Sequence, residues 1–267
     1  MTVTSGKLSV LNRILSESGS AIIACSGGTD SIFLLHMASK VRGLKLMAVT
    51  ARTSYMHQGE ISEAEEFCRE RGIEHRVTDI AFPDEIRRNP AERCYLCKKV
   101  ILSSITGIAA EEGYDNIFDG TNADDVLDYR PGMKALKESG VRSPLLESGL
   151  TKKEIRMVSR SEGLKTWDKP ANACLLTRFP HGAFISEEEL TKAGEAESFI
   201  ASLGFPGARV RVHGDLVRIE FRQQQFRKAL TAENRKKISE KLKSMGYRYI
   251  SADIEGYITG KMNIKSK

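Results

Sequence analysis

The sequence predicts an α/β fold, a parallel-sheet domain followed by a smaller α+β domain. Three observations predict it. Ala21 to Ala24 form a short apolar run that meets Ser26-Gly27-Gly28 and then an apolar stretch of helical spacing, Ile32 to Ala38. Beyond it, strand-like and helix-like segments alternate, the pattern of parallel strands joined by right-handed crossovers. Near the end, period-2 alternation over Ala208–Val212 and Leu216–Phe221, turning at His213-Gly214-Asp215, marks a hairpin instead.

Leu8 to Ser18 has helical periodicity, closed by Gly19 before the first strand. The strand, the Ser-Gly-Gly turn and the helix start that follow present unpaired N–H groups and the positive end of a helix dipole, a seat for an anion such as phosphate. The loop lacks the spacing and the lysine of a Walker A sequence, so the phosphates must be held by amides, hydroxyls and cations supplied from elsewhere. Gly27 and Gly28 let the backbone approach a ligand, and Ser26, Thr29 and Ser31 offer hydroxyls. Asp30 suits a phosphate site only with a magnesium ion between. Ser-Gly-Gly alone favours an ordinary capped turn over an anion seat. Ser26-Gly27-Gly28-Thr29-Asp30-Ser31 after a buried-type strand resembles the PP-loop of ATP pyrophosphatases, which implies pyrophosphate release as AMP passes to a substrate oxygen.

Next come a strand over Leu44–Thr50, a helix over Ile61–Arg71 and a strand over His75–Ile80. A ligand is expected at the carboxyl ends of these strands, which brings in Thr50. Asn89-Pro90 leads into Cys94-Tyr95-Leu96-Cys97 and a helix to Gly113. Asn116–Asp119 is a short strand opening into Gly120-Thr121-Asn122-Ala123-Asp124-Asp125, which puts Gly120 on the rim of the first loop or else forms a solvated turn. Thr151-Lys152-Lys153-Glu154 is a capping box that starts a helix closed by Gly163. Trp167 to Gly182 has no clean period, yet it gathers Lys169, Cys174, Arg178 and His181, a composition typical of a site and of a junction. Helices over Glu187–Leu203 and Phe226–Met245 and a strand over Tyr247–Ser251 complete the chain.

The 267 residues carry 41 Lys and Arg against 35 Asp and Glu, a net charge of +6. That modest balance does not single out a nucleic-acid binder, and an anionic small substrate fits it equally well. Met1 to Ser5 does not resemble a signal peptide and no apolar run reaches membrane-spanning length, so a cytoplasmic enzyme is expected. Five cysteines with one Cys-x-x-Cys suit metal or sulfur chemistry in a reducing compartment.

Four blocks stand together, the middle two much more specific than the loop. Ser26–Ser31, Asp119–Asp125 with Asp128-Tyr129-Arg130-Pro131-Gly132, Lys169-Pro170-Ala171-x-Ala173-Cys174-Leu175, and Arg209-x-Arg211 resemble the LarE family over nearly the whole chain. The resemblance implies an ATP-dependent sulfur transferase acting on a pyridinium biscarboxylic acid mononucleotide, a precursor of the nickel-pincer nucleotide cofactor, and it suggests a homo-oligomer. ATP would turn a carboxylate into an acyl adenylate, and sulfur would displace AMP to give a thiocarboxylate. Transfer RNA thiolation is the alternative acceptor chemistry among PP-loop relatives. Arg209 and Arg211, two residues apart on one face of the hairpin, read as an ordinary solvated face or as a forked pair for the substrate phosphate, and the resemblance supports the second.

The cysteines set the sulfur step. Some LarE-like proteins have one site cysteine, matching Cys174, and give up its sulfur, leaving dehydroalanine. Here Cys94 and Cys97 are present as well; alone they also read as half a zinc site, a redox pair or chance. Three thiolates leave one iron of a 4Fe-4S cluster open to hold sulfide for delivery, so the expectation is a cluster on Cys94, Cys97 and Cys174, with sulfide or another donor resupplying it. Cys25 and Cys68 are read as core residues and Trp167 as packing; the five histidines are assigned no role. Lys169 and Arg178 read equally as charge stabilisers or as braces for their loop, and the resemblance implies Glu197 and Glu220 as part of an acidic metal site, which the residues alone leave open. The expected organisation is a PP-loop domain over 1–168, a site-bearing junction over 169–185 and an α+β domain over 186–267. ATP is expected at Ser26, Gly27, Gly28, Thr29, Asp30, Ser31, Thr50 and Gly120, with Asp30 and Cys174 catalytic.

Overall fold

The computed structural model describes residues 2–127, 132–170 and 173–258. Asp128 to Pro131 of the second block, and Ala171 and Asn172 of the third, lie outside them. The chain forms two compact units, one of Met1–Thr53, Gln58–Ala81 and Glu92–Ala171, the other of Ser54–His57, Phe82–Ala91 and Asn172–Lys267. Two short stretches from the front of the sequence therefore belong to the second unit.

In the first unit α1 (Thr2–Ser16) precedes β1 (Ser20–Ala24), α2 (Thr29–Ser39), β2 (Lys45–Arg52), α3 (Gln58–Arg71), β3 (Glu74–Asp79), α4 (Arg93–Glu112) and β4 (Asn116–Asp119). The strands lie in the order β3-β2-β1-β4, all parallel, with Ile22 of β1 opposite Met47 of β2 and Ile117 of β4. Strands buried on both faces read as unbroken apolar runs, which is why Ala21-Ile22-Ile23 shows no alternation. Ile22, Met47 and Val49 pack against Ile105, Ile108 and Ala109 of α4. Ile23, Cys25 and Ala48 face the other way, onto Phe33, Leu34 and Met37 of α2 and Leu11 and Leu15 of α1. Each such fully buried side chain contributes about 1.5–3 kcal/mol.

Next come α5 (Gly132–Ser139), α6 (Pro144–Glu147) and α7 (Lys152–Ser161). The capping box is formed at α7: Thr151 Oγ1 accepts from Glu154 N, and the Glu154 carboxylate accepts from Thr151 N. Thr4 and Lys7 of α1 reach the same carboxylate.

In the second unit α8 (Glu187–Ser202) precedes the hairpin of β5 (Arg209–His213) and β6 (Leu216–Glu220), then α9 (Phe226–Ala229), α10 (Ala232–Ser244) and β7 (Tyr249–Ala252). The sheet order is β5-β6-β7, antiparallel then parallel. The helix expected over Phe226–Met245 is two helices: Thr231 is the extended N-cap of α10, and Asn234 Nδ2 caps the Lys228 carbonyl at the end of α9. The Asn234 side chain adds to the bonds that Thr231 already makes to that carbonyl, and the 3.6-residue period cannot reveal such a break.

Candidate active site

After β1 the chain turns through Cys25–Gly28 into α2. Gly28 is the N-cap, extended at φ −79° and ψ 165°, and receives no side-chain cap, so the first amides of α2 face the rim as a positive helix end. Gly27 sits at φ +73°, and a Cβ there would lie 2.2 Å from the carbonyl oxygen of Glu60, so glycine is required. Gly28 is different: an added Cβ would meet only Ser26 Oγ, at 3.3 Å. Its missing side chain serves the open side of the loop. Ser31 is buried and knits the turn, accepting from Ser26 N at 3.2 Å and donating to the Gly28 carbonyl at 3.1 Å. Thr29 Oγ1 donates to the Thr166 carbonyl at 2.8 Å. Of the three hydroxyls, that of Ser26 is on the exposed residue.

The end of β4 is pressed onto this loop. A Cβ on Gly120 would lie 2.9 Å from Ser31 N, so the backbone of the second rim touches the first turn of α2 directly. Asp119 anchors that rim by accepting from Lys98 Nζ at 3.0 Å, Thr121 Oγ1 at 2.6 Å and Ser143 Oγ at 2.6 Å. Asn122 Nδ2 donates to Asp30 Oδ2 at 3.1 Å. Burial pushes the Asp30 carboxyl above its ordinary value and nearby Asp125 adds to this, while Lys152 and Asn122 oppose it. An incompletely neutralised carboxylate beside an amide-lined anion seat is a hard oxygen donor set that fits magnesium. Thr50, buried under the strand ends, has its hydroxyl 2.9 Å from His75 Nε2.

Lys169 comes to the loop from the irregular segment, donating to the Gly27 carbonyl at 3.1 Å and to Glu63 Oε2 at 2.5 Å. It braces its loop by this contact and brings a cation to it. Arg156 of α7 in turn holds the carbonyls of Trp167 and Lys169, at 2.8 and 2.6 Å. Nothing in the local sequence distinguishes Arg156 from its charged neighbours. A cavity of about 430 Å³ opens beside Lys169 over Ile32, Phe67 and Leu164; Ser26–Gly28 do not line it, so it is not the anion seat.

In the second unit Cys174 is half-buried and precedes a tight turn over Leu175–Arg178. The turn is pinned by Leu175 N to the Tyr55 carbonyl at 2.9 Å and by Arg178 Nη1 to the Ala173 carbonyl at 3.1 Å. Arg178 is fully buried and pairs with both oxygens of Glu197, at 2.6 and 2.8 Å. Burial alone would raise the Glu197 carboxyl, but Arg178, Arg209 and the Val210 amide hold it below the ordinary value. His57 lies at the same place, and burial pushes its imidazole below the ordinary value while Glu197 opposes this. Arg209 and Arg211 share one face of β5, and both are buried. Arg211 donates to the Thr177 carbonyl at 2.8 Å and to Glu220 at 2.7 Å, and Arg209 faces Glu197 and the Tyr257 ring. Glu197 and Glu220 are thus arginine partners in this structure. The forked guanidinium pair is set within a buried ionic network rather than displayed on a strand face.

Cys94 and Cys97 lie one turn apart at the start of α4, Cys94 exposed and Cys97 half-buried. Among the described residues, no group of three or more His, Cys, Asp or Glu side chains is gathered as a metal site. The three thiols match a cluster in kind; Cys94 and Cys97 belong to the first unit and Cys174 to the second. Cys25 and Cys68 are buried as expected, and burial pushes the Cys68 thiol up to about 12.

A parallel sheet whose first strand opens through Ser-Gly-Gly-x-Asp-Ser into a helix, with Gly120 packed on that turn, defines an ATP-using enzyme of the PP-loop class. Residues 20–93, which include the loop, match the family model described as queuosine biosynthesis protein QueC. The chain is 37% identical to an uncharacterized protein of Synechocystis sp., over 96% of this chain and 97% of that protein. It is 33% identical to the pyridinium-3,5-bisthiocarboxylic acid mononucleotide synthase of Lactiplantibacillus plantarum, over 98% of this chain and 96% of that enzyme. An uncharacterized protein of Methanocaldococcus jannaschii is 31% identical over 88% of this chain and 90% of its own. The chain belongs to the LarE family of ATP-dependent sulfur transferases. Among the described residues, no helix is long and apolar enough to cross a membrane.

Proposed function

We propose that this chain is a cytoplasmic, homo-oligomeric enzyme that adenylates a carboxylate of pyridinium biscarboxylic acid mononucleotide and converts it to a thiocarboxylate on the way to the nickel-pincer nucleotide. The observation that carries the reading is the full-length match to the bisthiocarboxylic acid mononucleotide synthase, joined to an amide-lined loop that lacks a Walker lysine.

Oxide cannot leave a carboxylate, so one carboxylate oxygen attacks the α-phosphorus of ATP, forming a C–O–P bond as pyrophosphate departs. Sulfur then attacks the acyl carbon, the C–O bond breaks, and AMP leaves with that electron pair. The amides at Gly28 and Thr29 and the Ser26 hydroxyl face the departing pyrophosphate, and Lys169 adds positive charge beside them. Asp30 is the residue that would hold magnesium, which supplies charge neutralisation on the phosphates. Thr50 and Gly120 complete the nucleotide rim, and Arg209 and Arg211 are assigned to the substrate phosphate.

For the sulfur source, the reading is a 4Fe-4S cluster on Cys94, Cys97 and Cys174, which when bound supplies a labile sulfide. What this chain's own residues do is hold Cys174 at the head of a turn fixed by Arg178 and the Tyr55 carbonyl.

The test is incubation of anaerobically purified protein with ATP, magnesium and the biscarboxylate nucleotide, after an iron and sulfide count. Formation of AMP, pyrophosphate and thiocarboxylate is expected, with iron present and Cys174 intact afterwards. No pyrophosphate release would overturn the adenylation reading. Dehydroalanine at position 174 would replace the cluster with a sacrificial cysteine, and thiolation of a transfer RNA in place of the nucleotide would reassign the acceptor.

A further inference from the structure

We infer that Asn89 is a positioning residue for Cys174, required for sulfur transfer and dispensable for adenylation. The inference rests on the sulfur-transfer reading above. Asn89 lies 85 positions before Cys174 in the sequence, yet belongs to the same compact unit. It is completely buried and is the one non-glycine residue with positive φ among the described residues, at +47°. It also precedes Pro90, a position that favours extended backbone. A left-handed residue there is strain that the surroundings must hold in place.

What holds it is the turn that Cys174 begins. Asn89 Nδ2 donates toward three carbonyls, Leu176 at 3.2 Å, Phe179 at 2.9 Å and Pro180 at 2.9 Å. Its own carbonyl accepts from Gly182 N and lies 3.3 Å from His181 Nδ1. Three acceptors converging on one amide fix its orientation, because the opposite rotamer would set Oδ1 against three oxygens. Oδ1 is left buried with no hydrogen-bond partner. A buried amide with one unsatisfied acceptor, in a strained backbone, has a composition chosen for where its donors point. The carbonyls it gathers lie at and just beyond the C-terminal end of the short helical turn; that of Leu176 also accepts from Phe179 N and that of Pro180 from Ala183 N. Arg178 and the Tyr55 carbonyl pin the other end beside Cys174. Asn89 therefore closes the clamp that sets the direction of the Cys174 side chain. These contacts all lie within the second unit, whereas the PP-loop belongs to the first, so the inference separates sulfur transfer from adenylation.

The experiment uses full-length protein with Asn89→Gly, which accepts the backbone but removes the amide, and Asn89→Asp, which keeps the shape but sets a carboxylate against the carbonyls. Pyrophosphate release and thiocarboxylate formation are measured with ATP and the biscarboxylate nucleotide. In parallel, alkylation of Cys174 by iodoacetamide is followed across pH by peptide mass spectrometry. Both variants are expected to release pyrophosphate within about twofold of the parent while thiocarboxylate falls about tenfold or more, the scale of a displaced reacting group. The pH profile of Cys174 alkylation is expected to shift. An unchanged ratio of the two half-reactions with a superimposable alkylation profile would overturn the inference. So would failure of both variants to fold, which would make Asn89 a stability residue. If the parent protein itself releases no pyrophosphate, the functional reading fails, and the alkylation profile still decides the role of Asn89.

Discussion

The ammonium group of Lys169 donates to the main-chain carbonyl of Gly27, 142 residues earlier in the chain. A loop without a lysine of its own thereby acquires a fixed cation, and the left-handed Gly27 acquires a lock. Lys169→Met is expected to raise the KM for ATP about tenfold while kcat falls less, because the charge aids binding of the phosphates before it aids their departure. The melting temperature should move little, since the partner Glu63 is half exposed and such pairs contribute about 0–1 kcal/mol. Steady-state kinetics beside a thermal melt checks both halves.

The two loop glycines should respond differently to the same methyl group. At Gly27 it meets backbone at 2.2 Å with φ +73°, so Gly27→Ala is expected to destabilise the fold by about 2–3 kcal/mol and abolish adenylation. At Gly28 the backbone is extended and a methyl group meets only the Ser26 hydroxyl, at 3.3 Å, a small side chain that can give way, so Gly28→Ala should fold normally and lose ATP affinity by about tenfold or more. Denaturant unfolding and nucleotide titration of the two variants would separate them; equal stability losses would refute the assignment of Gly28 to the ligand side.

How legible this site was follows from sequence separation. The loop, β4 as Asn116–Asp119 and the Thr151–Glu154 capping box are local patterns, and each forms where the sequence places it. Arg156 and the Arg178–Glu197 pair are as important to the geometry and leave no local signature. An arginine that braces a carbonyl thirteen residues away resembles any solvated arginine until the fold supplies the carbonyl. The hairpin arginines show the converse: the i, i+2 spacing placed them on one face, and only the packing shows that the face is buried.

Asp30 carries a sign that can be tested. Its folded-state carboxyl is raised by burial, so the ionised form is disfavoured in the folded chain and stability falls as pH rises through the range above the ordinary aspartate value. Asp30→Asn removes that cost, and near neutral pH its melting temperature should equal or exceed the parent's while adenylation drops about a hundredfold. A clear loss of stability would show that the carboxylate serves structure rather than ligand.

Glu154 has the opposite sign. Although burial opposes it, the Lys7 ammonium, the Thr151 amide and hydroxyl and the Thr4 hydroxyl together hold its carboxyl down to about 2 from 4.5. A depressed acid contributes stability that is complete above its unfolded value and is lost as pH falls through its folded value. Glu154→Gln should cost about 1–2 kcal/mol at neutral pH, from the capping box and the Lys7 pair. Denaturant unfolding of both proteins should show that difference constant above pH 4.5 and fading as pH approaches 2. A difference independent of pH would mean that the capping geometry alone, without the charge, accounts for the effect.

The Arg178–Glu197 pair offers the sharpest separation of stability from chemistry. Both side chains are nearly or fully buried and joined by two hydrogen bonds, so Glu197→Ala leaves an uncompensated guanidinium inside the unit, at a cost of about 3–5 kcal/mol. Replacing both, as Arg178→Met with Glu197→Leu, removes the two charges together and should cost far less than the sum of the single changes. The double variant is expected to fold and to release pyrophosphate, since these residues sit outside the unit that holds the PP-loop. It also lacks the guanidinium that ties the Ala173 carbonyl, so Cys174 loses one end of its clamp and thiocarboxylate formation should fall about tenfold. Urea unfolding of the four proteins, with both half-reactions assayed on the double variant, tests the two claims together. Additive stability losses would refute the coupling, and full sulfur transfer in the double variant would show that the turn at Cys174 holds its geometry without Arg178.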